Sequence, residues 1–285
     1  MNVNKLKLNG PGYPASLANI ASPPGELFWT GVPPTQWLDK PKVSVVGSRK
    51  ITPYGKVVTT RIVDQLAKSG VVIISGLAYG VDVTAHQAAL AANGITVAIL
   101  PGDLNDIYPT AHTHIARQIT LKGTLITEYD KGSINFKSNF IARNRIVSGL
   151  CDVLIITEAA VNSGSLHTAR FALEQGKTVM AVPGNITSPI SEGTNNLIKS
   201  GAIPVTSAGD IFFALGIDGP ATARRQFKGS ASEQMVLSFI KNGLCAQDEL
   251  AEATELDSRV LASTLTMLEI EGLIRPAGGG NWILA

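Results

Sequence analysis

The chain is short of charge, aromatic rings and cysteine. Charged residues fill 16% of its 285 positions and aromatic residues 6%, and it has two cysteines and four histidines. Cys151 and Cys245 lie far apart and outside any C-x-x-C pair. They make neither a disulfide framework nor a zinc site by themselves, and two buried thiols is the reading they support. No window approaches the ~18 uninterrupted apolar residues of a membrane-spanning helix. The opening MNVNKLKLNG has no apolar signal core either. A cytoplasmic protein with no membrane partner is therefore expected. The short motifs of common enzymes are equally missing: no G-x-S-x-G, no Walker lysine, no H-E-x-x-H. His112-x-His114 lacks the carboxylate cluster that would complete a metal site. Asp82 and His86 stand at i, i+4 and read as a local hydrogen bond at a helix start ahead of an acid–base pair. Neither catalysis, nor a metal, nor a cofactor is expected.

What the chain does have is apolar strand after apolar strand. VSVVGS (43–48), VVIISG (71–76), ITVAILPG (95–102), TLITE (124–128), DVLIITE (152–158) and TVMAVPG (178–184) are each followed by a helical pattern. Near-continuous apolar strands alternating with helices predict a mostly parallel sheet buried on both faces. The fold class is α/β, a doubly wound sheet of extended Rossmann type over residues 41–216. Residues 1–40 break the alternation and read as an N-terminal arm packing on the core. Residues 217–231, rich in glycine and small polar side chains, read as a linker. Helical patterns at 232–241, 246–253 and 257–271 follow, the last with Val260, Leu261, Leu265, Leu268 and Ile270 on one side and Asp257 as N-cap. The closing GLIRPAGGGNWILA reads as two strands about a glycine turn, so residues 232–285 predict a small winged-helix domain.

Charge is divided unevenly between these parts. Residues 229–285 hold three cations against eight acids, a net of −5, and the 228 residues before them hold 21 against 14, a net of +7. A polyanion would be drawn to the first part. Loops beyond the carboxyl ends of the strands are where an open parallel sheet binds ligands. Here they read GSRK (47–50), SGLAYG (75–80), PGD (101–103), NSGS (162–165) and PGN (183–185). Small residues at such turns let backbone N–H groups approach an anion, and together these loops favour an anion site. GSRK is not G-x-G-x-x-G; Arg49 stands where a pyrophosphate would want glycine, and suits a direct contact to phosphate. The stretch KSNFIARNRI (137–146) sets Lys137, Phe140 and Asn144 on one face of a helix. A ring beside cations is the chemistry of single-strand binding, in which the ring stacks on a base. Composition alone leaves this evenly matched with a buried Phe140 beneath a solvated charged face. Arg143 and Arg145 cannot both share the Phe140 face, so one of them is expected to have a structural partner.

These motifs closely resemble the DNA-processing protein A (DprA/Smf) family. The matching stretches run in order: GYPASLANIASPPGELFWTG, VVGSRKITPYG, SGLAYGVDVTAH, LPGDLNDIYP, TEY, FIARNRIVSGL, SGSLHTA, AVPGN and GTNNLIKSGA. The tail resembles the winged helix that many members carry. The resemblance implies a homodimeric, non-enzymatic binder of single-stranded DNA that loads RecA on incoming DNA in natural transformation. It implies a DNA site at Ser48, Arg49 and Lys50, at Ser75 and Gly76, at Lys137, Phe140 and Asn144, and at Ser163, Gly164 and Asn195. Two positions depart from the pattern: Ile141 replaces the usual proline, and His167 replaces an aliphatic residue. The acidic tail is a poor DNA binder by itself and is expected to contact protein or pack on the basic core. The alternative is a nucleotide-binding enzyme or sensor on a related core, of the phosphoribohydrolase kind. Neither PGNITSPISEGTNN nor TEAAVNSGSLHTA, however, sets an acid after G-T as P-G-G-x-G-T-x-x-E requires.

Overall fold

The computed structural model describes residues 3–133, 136–219 and 229–284. The chain forms two compact units divided at Gly219 and Pro220. Residues 220–228 of the linker expected at 217–231 lie outside the described residues.

The first unit opens with β1 (Asn4–Lys7), the short helix α1 (Ala15–Ala18) and β2 (Glu26–Gly31). The alternation then begins with β3 (Lys42–Val46), α2 (Pro53–Lys68), β4 (Val72–Ser75), α3 (Val81–Ala91) and β5 (Thr96–Ile99). It continues through α4 (Thr113–Lys122), β6 (Thr124–Thr127), α5 (Lys137–Leu150), β7 (Val153–Ile156), α6 (Ser165–Glu174) and β8 (Thr178–Ala181). Helix α7 (Glu192–Lys199), β9 (Ile203–Pro204) and α8 (Ala208–Leu215) complete it. These strands form one nine-stranded sheet in the order β1-β2-β6-β5-β4-β3-β7-β8-β9. Pairing is parallel from β6 to β9 and antiparallel where β1 meets β2 and β2 meets β6. The N-terminal stretch therefore widens the sheet by two strands. It also sends Trp37 fully into the interior, where Nε1 donates to the Thr124 hydroxyl at 2.8 Å.

Both faces of the sheet are buried, and the strand period decides which residue serves which face. Val46, Val72, Ile74, Leu154 and Ile156 pack with Ile146, Val147 and Leu150 of α5. Val43, Val45, Ile73, Val153 and Ile155 pack on the other side with Ile62, Val63 and Leu66 of α2. Successive strands step outward from β3 in two directions, to β4 on one side and to β7 on the other. The crevice between β3 and β7 is thus the topological switch point, where such sheets hold ligands.

The second unit has helices α9 (Ala231–Lys241), α10 (Gln247–Thr254) and α11 (Ser258–Ile270), then an antiparallel hairpin of β10 (Ile274–Gly278) and β11 (Asn281–Leu284). Its own core gathers Val236, Leu237, Ile240, Leu250, Leu261, Leu265, Leu268 and Ile274. Asp257 caps α11 by accepting the Arg259 N–H at 2.8 Å. Val260 and Ile270, which the periodicity placed beside the core leucines, are exposed. The helical period has drifted off the buried stripe at both ends of α11.

Candidate nucleic-acid interface

A cavity of about 470 Å³ opens at the switch point. Its walls come from the loop after β3, the start of α3, the middle of α5 and the loop leading into α6. Among the residues expected from the sequence, Ser48, Arg49, Lys50, Phe140, Asn144, Ser163 and Gly164 all line it.

The basic loop after β3 is held from below. The Ser48 N–H donates to the Glu158 carbonyl at 2.7 Å, and the Val81 N–H reaches the Ser48 carbonyl at 3.1 Å. Glu158, itself buried, takes the Thr52 N–H at 2.9 Å and the Thr52 hydroxyl on its other oxygen. Gly80 holds φ +79 against this loop, where an added Cβ would strike the backbone of Ser48 and Arg49. With the loop fixed, Arg49 and Lys50 remain exposed. The Arg49 guanidinium stands 5.5 Å from the centre of the half-buried Phe140 ring. The Tyr108 ring meets the same phenylalanine edge-on at 5.4 Å, while half of Tyr108 is open to solvent. Opposite them, Asn144 Nδ2 donates to the Gly164 carbonyl at 3.5 Å, and the hydroxyls of Ser163 and Ser165 pair at 2.7 Å.

Four expected residues stand elsewhere. Ser75 is fully buried and gives its hydroxyl to the Val45 carbonyl at 2.6 Å, so it ties two strands together. Gly76 is buried beneath the cavity against the Arg143 guanidinium, and a side chain there would displace it. Lys137 is exposed in the first turn of α5, a turn before the residues that reach the cavity. Asn195 spends its amide on Gly184, accepting the N–H and donating to the carbonyl, each at 3.1 Å. It braces the PGN loop as a strand partner would. His167, whose place the sequence left open, is exposed on α6 and outside the cavity lining.

The two arginines of α5 divide as expected, with one correction. Arg145 forms a two-point ion pair with Glu128, at 2.9 and 2.6 Å, and is the structural partner. Arg143 lines the cavity although only 4% of it is exposed. Its Nη1 donates to the Ile99 carbonyl, its Nε is buried without a partner, and burial pulls its pKa down to about 10. Asp82 lines the same floor and was not expected there. Its Oδ2 accepts the Gly76 N–H at 3.1 Å and the Ala78 N–H at 3.4 Å. Burial pushes the Asp82 pKa up, against the pull of Arg143. The Asp82–His86 hydrogen bond expected from i, i+4 spacing is replaced by these contacts, because His86 Nδ1 faces the Thr96 hydroxyl at 2.7 Å. A signal for Asp82 was present in SGLAYGVD: a carboxylate six residues after a small-residue turn can collect the N–H groups of that turn. His112 and His114 turn to separate backbone carbonyls, those of Leu77 and Ala111. Among the described residues no cluster of ligands could hold a metal.

A rim of cations around an aromatic ring, with one acid and one arginine at the bottom, suits a polyanion that carries planar polar groups. Comparison with known proteins agrees. Residues 5–216 match the family model described as DNA recombination-mediator protein A, and residues 220–280 match the DprA winged helix domain. Protein Smf of Escherichia coli is 37% identical over 278 residues, covering 94% of this chain and 74% of that protein. DprA of Streptococcus pneumoniae is 40% identical over 199 residues, covering 70% of each. The crystal structure of the pneumococcal protein superposes with a TM-score of 0.71 at 37% identity, covering 75% of this chain and 74% of that one. The Helicobacter pylori DNA processing protein A, described for its single-stranded DNA binding mode, superposes at 0.68 with 34% identity, covering 75% of this chain and 96% of that one. The likeness does not favour the phosphoribohydrolase alternative. The chain belongs to the DprA/Smf family of DNA-processing recombination-mediator proteins.

Proposed function

We propose that the protein binds single-stranded DNA at the switch-point cavity, without cleaving it, and mediates recombination there. The observation that carries this reading is the meeting of Arg49, Lys50, Phe140 and Asn144, drawn from two distant segments, around one opening. Arg49 and Lys50 follow the phosphates, and the Phe140 ring supplies a stacking face for a base. Exposed Lys137 extends the charge along α5, outside the cavity. Ser163 and Gly164 close the opposite wall. The wider role proposed on this likeness is that of a cytoplasmic homodimer that loads RecA on strands taken up in natural transformation.

A fluorescent oligothymidine titrated with the protein at several salt concentrations tests the core of this reading. Binding is expected to weaken steeply with salt, and Arg49→Ala to flatten the log–log slope by about one contact. Equal affinity in parent and variant would reassign the site. Incubation with AMP and product analysis is expected to return AMP unchanged; released base would restore the enzyme alternative. RecA assembly on the same oligonucleotide, followed with and without the protein, tests the mediator role. Light scattering reads the oligomeric state.

A further inference from the structure

The bottom of the cavity differs in kind from its rim. At the rim the charges are Arg49 and Lys50; at the floor an arginine and an aspartate share one wall, both almost fully buried. Arg143 and Asp82 make no direct ion pair, and, the sealed Nε of Arg143 aside, each keeps one polar atom free of protein partners among the described residues. For Arg143 this is Nη2, since Nη1 serves the Ile99 carbonyl. For Asp82 it is Oδ1, since both backbone N–H groups go to Oδ2. Neither atom is sealed from solvent. The lining of the cavity therefore includes one unpaired donor and one unpaired acceptor.

A phosphate is the wrong occupant for that floor. It would lie against the Asp82 carboxylate and pay repulsion in a poorly solvated place. A neutral planar group with both a donor and an acceptor on its edge matches it, and on a DNA strand that is a nucleobase. An ionised carboxylate only accepts, so it separates the bases by the donors they offer. Adenine, cytosine and guanine each project an exocyclic amine. Thymine offers a single ring N–H set between two carbonyl oxygens, and those oxygens would face the carboxylate.

We infer that Asp82 and Arg143 make this a base-reading pocket, which prefers a base carrying an exocyclic amine over thymine. The inference rests on the single-strand reading of the same cavity. Arg143 meets the bare ring nitrogen beside the amine, and Asp82 receives the amine itself. Phe140 holds the ring plane and is indifferent to the base.

The full-length protein titrated with a labelled oligothymidine, and with copies carrying one central guanine, inosine, cytosine or adenine, tests this. The amine-bearing bases are expected to tighten binding about tenfold over thymine, the worth of one hydrogen bond to a charged group. Inosine, which is guanine without its exocyclic amine, is expected to fall back to the thymine level. Asp82→Asn keeps an acceptor for Gly76 and Ala78 and turns the free oxygen into a donor, so it is expected to invert the order toward thymine. If all the oligonucleotides bind the parent equally well, or inosine binds as guanine does, the inference fails while the single-strand reading stands. If none binds, both fail. Should Asp82→Asn not fold, the parent series decides alone.

Discussion

His86 is wholly buried on α3, and the Thr96 hydroxyl beside it already donates to the Ile73 carbonyl at 2.9 Å. That hydroxyl can only accept from the imidazole, so Nδ1 carries the proton and Nε2 is left bare, without a partner. Burial, with Arg143 and His112 adding to it, pulls the His86 pKa down to about 3. The unfolded chain takes up that proton near the ordinary value of ~6.5. Stability from this group is thus complete above about pH 6.5 and falls with acid toward pH 3, by about 1.4 kcal/mol per pH unit. Denaturant unfolding between neutral and acid pH checks this, and His86→Gln is expected to remove that part of the slope. Asp82 runs the other way. Its raised pKa costs stability at neutral pH, a cost that disappears as the pH falls to the ordinary carboxylate range, where the unfolded chain is protonated too. Asp82→Asn is therefore expected to raise the neutral-pH melting temperature and to lose that gain in acid.

Helix α5 shows how one stretch serves both scaffold and site, and two substitutions separate the roles. Arg145→Ala strands the mostly buried Glu128 carboxylate, whose side chain is 16% exposed. It is expected to cost about 3 kcal/mol in unfolding experiments and to leave the salt slope of DNA binding unchanged. Arg49→Ala is expected to do the reverse. Gly76→Ala should lower DNA affinity without touching the ligand, since its methyl group displaces the Arg143 guanidinium. Much of this was legible in the sequence: the helix, the position of Phe140 and Asn144, and the need for a partner to one arginine. The burial of Ser75 was not, because a serine at a strand end looks alike whether it faces a ligand or the neighbouring strand. Nor was Asn195, whose amide mimics a backbone. Lys137 lies on α5 as the spacing expected, and the helix continues past the end of the cavity there. Ile141 has a local meaning too. Helix α5 begins four residues ahead of it, and a proline at 141 would lack the N–H that such a turn requires. The departure from the family pattern thus permits a first turn that carries Lys137.

The alternation of strands and helices was readable along the whole first unit because buried parallel strands are apolar on both faces. The two N-terminal strands were not, since β1 reads NKLK and gains its place only by pairing with β2. The charge division was plain from composition. Removing residues 220–285 takes away an acidic winged helix with a core of its own. The remaining unit is expected to bind oligothymidine at least as tightly as the whole chain, and weaker binding would assign the winged helix a direct part in holding DNA. The outer strands of the sheet carry a further consequence. At one border, β1 presents Lys5 and Lys7, with Lys5 held to Glu26 at 2.6 Å. At the other, β9 has two residues, and Pro204 has no N–H to give. Charge guards one flank and proline the other, as natural sheets guard against fusing with their copies. Two molecules of this protein that associate are therefore expected to meet through side chains, with their sheets kept separate.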